Sequence, residues 1–86
     1  MNKNPTPTRY VAGWNMPGYM PDSEPEDFEE FVDARRHVLW CIAQDSIEAE
    51  TEEEADALDL FYKQVQVQTQ EFSGRVGNRV YWVTTA

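Results

Sequence analysis

Phe28-Glu29-Glu30-Phe31-Val32-Asp33-Ala34-Arg35-Arg36-His37-Val38-Leu39-Trp40-Cys41-Ile42 is the stretch whose reading decides the fold. Its apolar positions Phe28, Phe31, Val32, Val38, Leu39 and Ile42 recur at helical spacing, with Arg35 interrupting the stripe. Glu26, Glu29, Glu30, Asp33, Arg36 and His37 fall mostly on the opposite side. Upstream, Ser23 and Glu26 have capping-box spacing, and a proline such as Pro25 is tolerated in a first turn. The pattern predicts a helix over 24–44.

Downstream, Asp45-Ser46-Ile47-Glu48-Ala49-Glu50 reads as a polar connector. Thr51 and Glu54 form a second capping box. Ala55, Leu58, Tyr62 and Val65 then give another helical stripe, which predicts a helix over 52–67. A connector this short makes the two helices an antiparallel hairpin. Gln64-Val65-Gln66-Val67-Gln68-Thr69-Gln70 also alternates with the period of a strand, which leaves open a second reading. In it, Val67 or Thr69 pairs with the end of the chain through Ser73-Gly74-Arg75-Val76-Gly77-Asn78.

Residues 79–85, Arg-Val-Tyr-Trp-Val-Thr-Thr, are β-branched and aromatic and predict a strand. Residues 8–14, Thr-Arg-Tyr-Val-Ala-Gly-Trp, predict another. Pro17-Gly18 fits the centre of a type II turn. Residues 1–7 read as a flexible tail, and 8–86 as one domain. The expected fold is α+β in the order β-α-α-β, with a helical hairpin on a short antiparallel sheet. Tyr81 and Trp82 point to opposite faces of their strand, so one meets the helices and the other the outer face, beside Trp14 or Val11. A two-stranded sheet is marginal alone, and pairing free edges across a homodimer would extend it. The sequence leaves both monomer and homodimer open.

The 86 residues carry a formal charge of −9, unevenly spread. Asp22 to Asp59 holds 15 of the 16 acidic residues against Arg35 and Arg36, a segment charge of −13, while 1–21 and 60–86 each carry +2. Eleven aromatic residues are too many for an acidic disordered chain. No apolar run approaches the ~20 residues of a membrane span, and residues 1–8 lack the apolar core of a signal peptide. The acidity argues against direct nucleic-acid binding, which needs Lys and Arg to neutralise phosphate.

The residues offer little chemistry. Cys41, the one cysteine, falls beside the apolar stripe as a small hydrophobe, in a setting that raises rather than lowers a thiol pKa. His37 lies one turn after Asp33, as in an ordinary ion pair. Asp45 to Asp56 lacks the glycine of a calcium loop, and no zinc spacing, phosphate loop or nucleophile elbow occurs. No metal or cofactor is expected, and the chain reads as a non-enzyme. The candidate partner-binding residues are the carboxylates Glu26, Glu29, Glu30, Asp33, Glu52, Glu53 and Asp56, with Arg36 and Trp40. Carboxylates a helical turn apart are spaced comparably to phosphates along a DNA strand, so such a face can compete for a basic nucleic-acid groove. The plain alternative is a solvated acidic face that keeps a small protein soluble. Arg35 either snorkels along the core edge onto a carboxylate or joins an interface. Trp40 either packs on neighbouring chain or anchors a partner.

Tyr10-Val11-Ala12-Gly13-Trp14-Asn15-Met16-Pro17-Gly18-Tyr19-Met20-Pro21-Asp22 resembles a group of small acidic proteins encoded by phages and prophages. Their pattern is a strand, a Pro-Gly-Tyr-x-Pro-Asp/Glu segment and an amphipathic helix, matched here by Phe28, Phe31, Ala34 and Leu39. Tyr81-Trp82-Val83 matches the closing strand. The resemblance implies a phage setting and a host-cytoplasmic location, and it carries over no catalytic residue. The reading that joins charge and resemblance is a non-enzymatic inhibitor of a host defence protein with a basic surface. The alternative is an accessory protein that assembles through sheet edges and exposed aromatics.

Overall fold

The computed structural model describes residues 9–15 and 25–85. Its elements are β1 (Tyr10–Asn15), β2 (Glu26–Phe28), α1 (Phe31–Ile47), α2 (Glu52–Gln66), β3 (Phe72–Val76) and β4 (Arg79–Thr85). The strands form one antiparallel sheet in the order β2-β1-β4-β3. The helical hairpin covers one face, with α1 on β1 and β2 and α2 reaching β3. The α+β class and the hairpin-on-sheet layout are those expected from the sequence, with two strands more than it suggested.

Both extra strands correct a local expectation. Glu26–Phe28 was expected within the first helix, with Glu26 as a capping partner. Instead it pairs with β1, Phe28 opposite Tyr10 and Glu26 opposite Ala12. Glu26 and Asp27 have little strand preference of their own, so the unpaired β1 edge decides their conformation. Helix α1 therefore begins at Phe31, with Glu30 as an N-cap that makes no side-chain bond, and runs on to Ile47 through the expected connector. Its core face is also rotated from the expected stripe. Ala34, Val38, Cys41 and Ile42 are buried, whereas Val32 is exposed. The Ser23 half of the capping box and the Pro17-Gly18 turn lie outside the described residues.

Helix α2 starts as expected. Thr51 Oγ1 accepts from the Glu54 amide at 3.1 Å, and Glu54 reaches back to the Glu50 amide at 3.2 Å. The helix continues to Gln66 and buries Leu58 and Val65. The rival strand over 64–70 does not form: neither Val67 nor Thr69 pairs with the end of the chain, and the strand that does, β3, lies in Phe72–Val76, in the stretch that reading took as the connector. Val76 and Arg79 close a two-residue hairpin in which Gly77 takes φ +59° and no other residue has positive φ, as a type II′ turn requires.

Tyr81 and Val83 of β4 and Ala12 of β1 face the helices and are fully buried. Trp14 lies opposite Tyr81 and shares that face. Trp82 takes the outer face, where it lies across Gly13 and donates its indole N–H to Asn15 Oδ1 at 2.8 Å. It is half-buried, so the outer face is less open than the sequence suggests. The exposed large apolar residues, Val32, Trp40, Ile47, Leu60 and Val67, lie instead on the helices and their ends.

Phe61 of α2 packs directly on β3. A Cβ at Gly74 would lie 2.4 Å and 2.6 Å from atoms of its ring. Gly74→Ala therefore displaces Phe61 from its place beside Tyr81, a ring contact of 5.7 Å between centroids. The expected loss is about 1–3 kcal/mol, read from denaturant unfolding.

Candidate functional site

The acidic residues do not form one face. The hairpin is antiparallel, as two bonds at opposite ends show. Arg35 near the start of α1 reaches Gln68 O past the end of α2 (2.8 Å), and Ser46 near the end of α1 reaches Asp59 Oδ1 (2.8 Å). Glu52, Glu53 and Asp56 therefore sit at the connector end, and Glu29, Glu30 and Asp33 at the other, with Glu26 alongside α1, where its charge reaches Cys41. Most of the length of α1, about 25 Å for its 17 residues, separates Glu29, Glu30 and Asp33 from the connector group.

The two ends differ in neutralisation. At the β2 end, Arg9 lies 3.6 Å from Asp27 and 3.7 Å from Glu29, and Arg36 lies 3.4 Å from Asp33. At the connector end, Glu48, Glu50, Glu52, Glu53, Glu54 and Asp56 are all exposed, and none makes an ion pair among the described residues. Three of them, Glu52, Glu53 and Glu54, occupy the first turn of α2, where the helix dipole favours negative charge. The carboxylate spacing expected along one long face is thus confined to this end.

Beside it, a cleft of about 480 Å³ opens between the connector and the β3–β4 turn, lined by Asp45, Glu48, Glu54, Leu58, Asn78 and Arg79 among others. Asp45, expected in a solvated connector, is only 13% exposed. One carboxylate oxygen lies 2.7 Å from Arg79 Nη1 and the other accepts from the Tyr81 hydroxyl. Arg79 in turn lies over the Trp14 ring, 5.0 Å from its centroid. Burial and the Asp45 carboxylate push the Tyr81 hydroxyl well above its ordinary range. These groups satisfy one another and tie the end of α1 to the sheet. The signal was present in the sequence: Asp45 lies three, four and seven residues after Ile42, Cys41 and Val38, on the buried stripe.

Arg35 does not make the carboxylate pair expected of a snorkelling arginine. It bonds the Gln68 carbonyl and lies 5.9 Å from the Phe31 ring centroid. Arg36 is 74% exposed. The expected Asp33–His37 pair is also replaced. Asp33 meets Arg36, while His37 packs on the Phe28 ring (5.5 Å) and places Nε2 3.8 Å from Cys41 Sγ.

Proximity of a histidine does not make this cysteine a nucleophile. Cys41 is buried, and burial, with the charges of Asp45 and Glu26, raises its thiol pKa to about 11. A thiol held neutral is unreactive at pH 7. Its raised pKa gives an alkaline prediction. The unfolded thiol ionises near pH 9 and the folded one near 11, so its contribution is complete below about pH 9 and is lost as pH rises through 11. Stability falls by on the order of 2 kcal/mol across that window, and Cys41→Ala removes that component of the loss, as measured by urea unfolding at each pH.

Trp40 lies on the solvent side of α1 and is 61% exposed. With Phe28, Asp33, Arg36 and His37 it lines a shallow groove of about 390 Å³. At that exposure Trp40 does not pack on neighbouring chain, the first of the two sequence alternatives for it. No group of three or more His, Cys, Asp and Glu suited to a metal ion occurs among the described residues, and no helix there is long and apolar enough to cross a membrane. Compared with family models, curated proteins and solved structures, the chain has no significant match.

Proposed function

We propose that this chain is a non-enzymatic, phage-encoded protein that binds and inhibits a host protein with a basic, nucleic-acid-binding surface. The connector end of its helical hairpin is the principal contact. The observation that carries this reading is the contrast between the two ends. At the β2 end Asp27, Glu29 and Asp33 pair with Arg9 or Arg36, whereas six exposed carboxylates at the connector end have no cationic partner among the described residues. Uncompensated charge on a rigid helix start is suited to steering and docking a basic groove. Solubility alone does not require its concentration at one end. The phage setting rests on the resemblance around Pro17-Gly18-Tyr19-Met20-Pro21-Asp22, which lies outside the described residues.

The test is capture from a bacterial host lysate on the immobilised chain, followed by mass spectrometry and repeated with nuclease-treated lysate. The reading expects a nucleic-acid-binding protein, retained after nuclease treatment and released by salt. Capture of apolar or acidic partners indifferent to salt contradicts it.

A further inference from the structure

We propose that the groove of Phe28, Asp33, Arg36, His37 and Trp40 is a socket for an arginine or lysine side chain of the protein partner. The inference rests on the reading that this partner is basic, and it adds a second, directional contact at the end of the hairpin away from the connector.

The molecule contains an internal template for the site. Trp14 and Asp45 together hold Arg79, with the aromatic ring under the guanidinium at 5.0 Å and the carboxylate on its Nη1 at 2.7 Å. Trp40 and Asp33 offer the same pair of groups, facing outward. Of the three tryptophans, Trp14 is covered by Arg79 and Trp82 bonds Asn15. Trp40 makes no ring or hydrogen-bond contact among the described residues and remains 61% exposed. An indole face is the strongest aromatic partner for a cation.

Asp33 completes the set. Its one cationic partner is Arg36, at 3.4 Å and 74% exposed, a surface pair of small net energy that an incoming cation can displace. The surroundings favour a positive occupant. Asp27, Glu29, Glu30 and Asp33 share this end with Arg9 and Arg36, while Arg35 is engaged on Gln68. Phe28 and His37, their rings tilted against each other at 5.5 Å, supply the apolar wall along which the methylenes of a long cationic side chain can lie.

The experiment is an NMR titration that follows the backbone amides and the three indole N–H signals with a capped tri-arginine peptide. A tri-citrulline peptide of the same length serves as the uncharged control. The Trp40 signal should move saturably with arginine and stay with citrulline, while Trp14 and Trp82 hold still. Asp33→Asn and Trp40→Ala should each weaken the peptide about fivefold or more. Arg36→Gln, which removes the competing cation, should tighten it severalfold. Both Asp33 and Trp40 are surface positions, and a thermal melt verifies that the variants fold. Glu52→Gln, Glu53→Gln and Asp56→Asn combined should leave the Trp40 shift within about twofold of the unaltered chain, since a helix length exceeds the Debye length.

Equal shifts with citrulline overturn the socket, as do shifts confined to Glu48–Asp56 with Trp40 unmoved, or weakening by Arg36→Gln. Those results leave the connector-end reading standing. That reading fails separately, when the triple connector variant captures the lysate partner as well as the unaltered chain does.

Discussion

Asp45→Ala should cost this domain on the order of 3 kcal/mol, the largest stability loss expected from any single polar substitution in it. The carboxylate is 13% exposed and serves two groups at once, Arg79 at 2.7 Å and the Tyr81 hydroxyl. Its removal leaves a guanidinium two-thirds withdrawn from water without its counter-charge and a buried hydroxyl without an acceptor. Small domains hold only about 5–10 kcal/mol in all, so the variant should unfold at markedly lower urea. Asp45→Asn retains an acceptor but no charge and should fall between the two. Tyr81→Phe should cost about 1–2 kcal/mol, and the Asp45→Asn/Tyr81→Phe double variant should be less damaging than the sum of the singles. Additive losses would mean that the groups do not act as one network.

The same residue illustrates what the sequence could and could not disclose. The helices were legible because their burial is periodic: Leu58 and Val65 lie on the stripe read from Ala55, and both are buried. The Thr51–Glu54 cap was legible because its chemistry is local. Asp45 was misplaced because a charged residue in a run of polar ones reads as connector, although it stands on the buried side of α1. Its partner Arg79 is 34 residues away, and only the fold brings them together. Strand β2 was illegible for a related reason. Glu-Asp-Phe after a proline has the composition of a helix start, and its conformation is set by the backbone of β1, which no local pattern encodes.

Charge was legible in amount and not in arrangement. A run of −13 along the chain suggests one face. An antiparallel hairpin divides it between two ends, and Arg9, remote in sequence, partly neutralises one of them. Of the expected contact residues, Glu52, Glu53 and Asp56 remain together and uncompensated. Asp33, Arg36 and Trp40 gather in a groove, Glu29 and Glu30 flank that groove's end of the molecule, and Glu26 lies alongside α1.

That division sets the second large effect. Neutralising Glu52, Glu53 and Asp56 together should weaken the partner about tenfold to a hundredfold, chiefly through slower association. Neutralising Glu29 and Glu30, one of which already shares Arg9, should weaken it severalfold at most. Both variants should fold, because all five side chains are exposed and outside the core. Removing the first-turn charges from α2 forfeits only about 0.3–1 kcal/mol of dipole stabilisation for each.

The most direct measurement is the affinity of the captured partner for the unaltered chain and for the Glu52/Glu53/Asp56 variant, by calorimetry at about 50 mM and about 500 mM salt. If the connector end is the contact, the unaltered chain loses tenfold or more in affinity between the two salt concentrations. The variant starts weaker and loses much less. Equal affinities for the two chains, each indifferent to salt, would contradict the account.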